Sequence, residues 1–328
     1  MRPGDAPDLP EGLVFYPDTE PGISRRKCGR GFAYRLPDGT TLDHGPLRSR
    51  CEALAVPPAY TDVWISPKEN GHLQATGFDA RSRKQYRYHP HWAEARAQIK
   101  YGSLPAFGRA LPRLRRRVAR DLAEEPGARA FALAAAVLLI DKLGLRVGNA
   151  AYTEQNGSYG ALTLRRRHLK LTESGLQLSY VAKGGQKVRR RLTDAKLLRT
   201  LEAARDLPGA ELLSWVDAEG VAHRLGSDTL NAYISDHTGG DFTAKSFRTW
   251  AGTLAAFEAR EAGETTIRAL SQAAADRLKN TPTIARGSYI HPDVIALTET
   301  DEMPEITPAQ VSGLSAAERR LLAFLERR

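Results

Sequence analysis

The hydrophobic period of this chain changes near residue 100, and that change limits the folds open to it. Over 12–91 the apolar residues fall in short β-like stretches, such as 31–36, 62–66 and 84–88, divided by the turn signals Pro37-Asp38-Gly39 and Asn70-Gly71. Beyond Tyr101-Gly102-Ser103-Leu104-Pro105 they recur at helical spacing, over 109–124 and 129–145. Strand-like patterning returns at 162–164, 168–171 and 176–183, where Gly184-Gly185 supplies a tight turn before Lys187-Val188-Arg189. Helical spacing resumes over 194–204, 227–237, 243–262 and 265–280, and Ser315 with Glu318 forms a capping box that opens a last helix to residue 326. The pattern predicts an α+β protein. Residues 1–100 form a small β-rich domain, 101–105 a linker, and 106–328 a larger, mainly α-helical domain carrying a small β-hairpin.

Length and composition agree with two domains: 328 residues, 41% of them apolar, suffice for a core in each. The longest apolar run, 130–140, is eleven residues between Arg129 and Asp141, short of the roughly 20 that span a bilayer, so no membrane partner is expected. The first eight residues carry no apolar segment behind their single basic side chain, which does not read as a secretory signal and points to the cytoplasm. Cys28 and Cys51 are too few for a disulfide framework or a zinc knuckle and read as structural free thiols. Trp64 and Trp250 read as core anchors, each inside an apolar-patterned element.

Positive charge is concentrated in the middle of the chain. Residues 101–200 hold 20 basic and 7 acidic side chains, whereas 201–328 hold 13 and 19. Arginine supplies 37 of the 48 cations, and its planar fork suits phosphate oxygens. The runs Arg115-Arg116-Arg117, Arg165-Arg166-Arg167 and Arg189-Arg190-Arg191 read either as solvated faces or as the footprint of a nucleic acid; three runs within 80 residues favour double-stranded DNA.

Several chemistries lack their residues. No Gly-Lys dipeptide occurs, which excludes a P-loop, and Gly29-Arg30-Gly31 lacks the third glycine of a dinucleotide fingerprint, so no nucleotide cofactor is expected. His89-Pro90-His91 reads as a surface turn, and no metal site stands out. Attack on a phosphodiester without carboxylate-held magnesium then needs a covalent nucleophile, an acid for the leaving oxygen, and fixed donors for the charge on the non-bridging oxygens.

One residue is available for each role: Arg146 in Leu145-Arg146-Val147-Gly148-Asn149, Lys183 at the hairpin tip, Arg248 in Lys245-Ser246-Phe247-Arg248-Thr249-Trp250, and Tyr289 in Ala285-Arg286-Gly287-Ser288-Tyr289. This order resembles the type IB DNA topoisomerases. In the first domain, Pro57-Pro58-Ala59-Tyr60-Thr61-Asp62-Val63-Trp64-Ile65, Asn70-Gly71-His72-Leu73-Gln74-Ala75-Thr76-Gly77 and Lys84-Gln85-Tyr86-Arg87-Tyr88 resemble the N-terminal domain of the poxvirus-like branch, whose bacterial relatives share the asparagine that this chain has at position 280. The resemblance implies that Tyr289 attacks a DNA phosphorus, leaving a 3′-phosphotyrosyl enzyme and a free 5′-hydroxyl. Arg146 and Arg248 would clamp the non-bridging oxygens and Lys183 would protonate the 5′-oxygen. Strand rotation and the reverse reaction would follow without ATP or metal. Where poxvirus members have a histidine nine residues before the nucleophile, this chain has Asn280, which can donate a hydrogen bond but cannot shuttle a proton. Gln85, Tyr86, Tyr152 and Lys245 match DNA-contacting positions of the family. A nucleoid-associated monomer closing as a clamp around the duplex is the implied assembly. Two alternatives stand beside it. A tyrosine recombinase shares the Arg, Lys, Arg and Tyr chemistry but carries a histidine where this chain has Lys245, and a non-catalytic DNA clamp would form no covalent adduct.

Overall fold

The structure is a computed structural model that describes residues 9–172 and 175–327. The first eight residues, read above as lacking a secretory signal, lie outside the described residues, as do Glu173 and Ser174. The chain divides into two compact units, Met1–Lys100 and Tyr101–Arg328.

The first unit contains β1 (Ile23–Cys28), β2 (Gly31–Arg35), α1 (Pro46–Ala53), β3 (Thr61–Ile65), β4 (Leu73–Phe78) and β5 (Lys84–Tyr88). The strands form one antiparallel sheet in the order β2-β1-β3-β4-β5. Alternation sends Ile23, Tyr34, Val63, Ile65 and Ala75 to one side, where they close over Cys51 of α1. Cys51 is therefore a core residue, whereas Cys28 is exposed. Trp64 departs from its expected role as a core anchor. It is half-exposed, its indole N–H donates to the Glu20 carbonyl at 2.9 Å, and its ring lies over Gly22 rather than in the core.

The expected linker is helical. Helix α2 (Pro90–Gly102) runs across the boundary between the units and α3 (Leu104–Asp121) follows after Ser103. Tyr101 and Leu104 are buried, so apolar burial, not chain flexibility, organises this segment. His89-Pro90-His91 forms the start of α2.

The second unit continues with α4 (Arg129–Leu143), α5 (Ala150–Asn156), β6 (Leu169–Thr172), β7 (Gly175–Ala182), β8 (Gln186–Arg191), α6 (Ala195–Arg205), β9 (Ser214–Val216), β10 (Ala222–Arg224), α7 (Ser227–Thr238), α8 (Ala244–Glu261), α9 (Ile267–Leu278), α10 (Pro282–Tyr289), α11 (Pro292–Ala296) and α12 (Ala316–Leu325). Helix α4 is apolar on nearly every face, and a helix of that kind is stable only when buried all round. It sits in the core with Phe107, Phe247, Trp250 and Phe257, so Trp250 is the anchor expected of it. The segment 162–164 is not a strand; Ala161–Thr163 is a single 3-10 turn, because Gly160 accepts back-bonds from Thr163 and Leu164. Strands β6, β7 and β8 form an antiparallel sheet whose last two members make the hairpin. The last helix opens on Ser315, whose hydroxyl accepts from the Glu318 N–H, while the Glu318 carboxylate accepts from the Ser315 N–H. No helix among the described residues is long and apolar enough to cross a membrane.

Candidate active site

Arg146 lies just beyond α4 on a braced loop. The Ala161 N–H donates to the Arg146 carbonyl at 2.8 Å and the Leu162 N–H to the Val147 carbonyl at 2.7 Å. This backbone crossing requires glycine at 160, where a Cβ would fall 2.5 Å from the Gly148 nitrogen and 2.6 Å from the Arg146 oxygen. Arg146 is half-buried and lines a cleft of about 500 Å³ with Asn149, Tyr152, Tyr159 and Lys183.

Lys183 opens the turn between β7 and β8, which pairs Ala182 with Gln186 across it. Gly184 and Gly185 take φ values of 81° and 78°, a conformation that L side chains rarely adopt. The lysine is exposed, with its Nζ 5.8 Å from the centroid of the Tyr152 ring.

Arg248 projects from α8, which begins with Thr243 accepting from the Lys245 N–H at 3.3 Å. Arg248 is 3% exposed and its guanidinium turns inward. Nη1 donates to the Gly144 carbonyl, and both terminal nitrogens reach the Leu278 carbonyl at 3.4 Å. Its Cζ stands 4.8 Å from the centroid of the Tyr289 ring. Of its donors, Nε is buried without a partner among the described residues.

Tyr289 is the last residue of α10, a helix started by Pro282 and capped by Thr281, whose hydroxyl accepts from the Ile284 N–H. It packs against Gly252 of α8. A Cβ on Gly252 would lie 2.7 Å from the Tyr289 carbonyl oxygen and 3.0 Å from its Cβ, so any larger residue would push α10 away. The neighbouring Thr253 hydroxyl donates to the same carbonyl at 3.2 Å. Burial works to raise the phenol's pKa, but Arg248, and more weakly Arg146 and Lys245, outweigh it and hold the group below its ordinary value. The Asn280 side chain sits after α9 with both its amide nitrogen and its oxygen buried and unpartnered among the described residues.

Arg146, Lys245 and Arg248 thus all bear on Tyr289, and Lys183 and Tyr152 share a cleft with Arg146. Gln85 and Tyr86 belong to the first unit. Gln85 donates to Asp79 at 3.1 Å, and Tyr86, 52% exposed, stacks on Tyr88 at 6.1 Å. Both line a shallow depression of about 230 Å³ with Tyr60 and Thr76.

Much of the arginine-rich footprint has other duties. Arg115 bridges Asp141 and Glu318, and Arg117 pairs with Asp121 at 2.8 Å. Arg166 donates to the carbonyls of Arg205 and Leu207, and Arg167 donates to the Tyr159 hydroxyl at 2.7 Å. Conversely, sequence reasoning passed over Arg190 and Tyr180, which line a small cavity with Arg146 and Arg248. The available signal for Arg190 was strand alternation: on β8 it shares a face with buried Val188.

A β-rich first unit, then a helical unit with a hairpin-tip lysine and a phenol set among arginines, is the arrangement of tyrosine-dependent enzymes that act on DNA. Comparison narrows the class. Residues 89–280 match the family described as "Eukaryotic DNA topoisomerase I, catalytic core", and residues 31–79 match "Bacterial DNA topoisomerase IB, N-terminal domain". The chain is also similar to the DNA topoisomerase 1B of Acanthamoeba polyphaga mimivirus, 28% identical over 285 residues that cover 82% of this chain and 85% of that protein. The chain belongs to the type IB DNA topoisomerase family. It is a DNA-acting isomerase, and its first domain places it with the bacterial branch.

Proposed function

We propose that Tyr289 is the nucleophile of the topoisomerase reaction and that Arg146, Lys183, Arg248 and Asn280 complete its centre. The observation that carries this reading is the phenol's environment: a half-buried tyrosine whose pKa is lowered by three cations, Arg248 and Lys245 of α8 and Arg146 of the loop after α4. As the Tyr289 oxygen bonds to phosphorus, its proton passes to water and the P–O5′ bond breaks. The Lys183 ammonium then protonates the departing 5′-oxygen, and its exposed place on a narrow turn lets it reach a groove. Arg146, from its braced loop, binds the non-bridging oxygens. Arg248 contributes charge and the free Nε, its terminal nitrogens being committed to the carbonyls of Gly144 and Leu278. The unpartnered Asn280 amide donates to the same phosphate without transferring a proton. The reverse sequence reseals the strand, and because one ester replaces another the cycle consumes no ATP and needs no metal.

Gln85, Tyr86, Tyr152 and Lys245 serve as DNA contacts outside the reacting atoms. The protein works as a monomer in the cytoplasm, associated with the nucleoid, since one chain supplies every group and one strand is cut at a time. Incubation with supercoiled plasmid in EDTA, without ATP, tests the reading. The wild type relaxes the plasmid and forms a covalent adduct with DNA; Tyr289→Phe does neither. Equal relaxation by the Phe variant overturns the assignment.

A further inference from the structure

Arg190 is a half-buried cation that the chemistry above does not use. On the β7–β8 hairpin, Leu176, Leu178, Tyr180, Ala182 and Val188 face inward, and Arg190 is the charged member of that face, paired across the ladder with Leu178. It has no carboxylate partner among the described residues. Its Nε is buried and unpartnered, and its Nη2 donates to the carbonyl of Arg277 in the last turn of α9. Its nearest charges are cations, Arg277 and Arg248, and burial with this repulsion holds its pKa below the ordinary arginine value. A guanidinium placed among apolar side chains and other cations, with no carboxylate beside it, is unfavourable, so packing alone does not account for it.

Its connections do. Arg190 stands on the strand that leads away from Lys183, and its single clamp falls three residues before Asn280, on the segment that continues into α10 and Tyr289. We propose that Arg190 is a positioning residue that ties the lysine hairpin to the end of α9, so that the proton donor is held in register with the nucleophile. The proposal rests on the assignment of Lys183 as the acid.

Leaving-group chemistry separates this role from general support of the fold. A thiolate leaves without protonation, so a bridging sulfur in place of the 5′-oxygen removes the need for the acid. Single-turnover cleavage is measured on oxygen- and sulfur-bridged duplexes at a site mapped with the wild-type enzyme. Arg190→Gln is expected to cleave the oxygen substrate about 100-fold more slowly than wild type, the penalty of a misplacement near 1 Å, and to recover on the sulfur substrate. Arg190→Lys, which keeps the charge and one donor, gives the same pattern with a smaller loss, and stands in if the Gln variant does not fold. Lys183→Ala is the reference. If it recovers with sulfur while the Arg190 variants lose equally on both substrates, or lose nothing, the positioning role is wrong. If Lys183→Ala itself fails to recover, the acid assignment falls and the positioning role falls with it.

Discussion

Two arginine clusters lie by the last turn of α4, and the protein treats them in opposite ways. On one side Arg115 donates to both oxygens of Asp141, at 2.8 and 2.9 Å, and to both of Glu318, at 3.1 and 2.8 Å. Burial would weaken its charge, but the two carboxylates hold its pKa well above the usual arginine value. Trp250 closes the set by donating to Glu318 at 3.2 Å. On the other side Arg248 and Arg190 have no carboxylate partner among the described residues; each donates to backbone carbonyls, Arg248 also meets Tyr289, and each has an unpartnered Nε and a lowered pKa. The same residue type is neutralised where it joins helices and left without a carboxylate on the side that faces Tyr289. Electrostatic stabilisation of a transition state works in this way, because donors fixed in advance need not reorganise during the reaction.

The comparison breaks most readily at Arg248. Arg248→Ala is expected to slow relaxation about 10²–10³-fold, the usual loss for a preorganised donor. Because it removes an uncompensated charge, its thermal midpoint should move by less than about 4 °C, on the order of 1 kcal/mol for a unit of this size. Arg115→Met should do the reverse. It strands Asp141 and Glu318 together in a largely buried site, a loss of about 3 kcal/mol read as a lower midpoint, while the folded protein continues to relax DNA. A large activity loss in Arg115→Met with no loss of stability would erase the distinction.

Those outcomes bear on how much could be read beforehand. Motif order along the chain singled out Arg146, Lys183, Arg248, Asn280 and Tyr289 as candidates, and period located α4, the hairpin and the capped final helix. It could not sort the arginine runs, since Arg115 meets Glu318 from 203 residues away and Arg190 meets Arg277 from 87. Local pattern also gave no sign that 101–105 is helical, because a Gly-Ser-Leu-Pro sequence is equally a break between two helices once its apolar neighbours are buried.

Two pH experiments sharpen the contrast further. His168 is buried against Tyr159 and Tyr180, and its Nδ1 accepts from the Arg165 N–H at 3.0 Å. Burial, with help from Arg167 and Arg165, pushes its pKa down to about 4. The folded state therefore favours the neutral ring. Stability from this group is complete above the unfolded value near 6.5 and is lost as pH falls towards 4, because the unfolded chain takes up the proton first. Denaturant midpoints recorded from pH 7 to 4 should fall for the wild type and flatten for His168→Gln. The smallest effect is expected at Lys245, an exposed contributor to the field on Tyr289. Lys245→Ala raises the phenol's pKa, so the rising limb of single-turnover cleavage against pH moves upward. An unmoved limb would remove Lys245 from the reacting group's surroundings.

The sequence by itself determined most of the element types and their order, because hydrophobic period and local caps act over a few residues, and its motif order named the candidate reactive groups. Only the tertiary structure decided which cations keep an open charge. Coulombic compensation depends on distance in space, and the carboxylates that quench Arg115 arrive from helices remote along the chain, while none arrives beside Arg190 or Arg248 among the described residues.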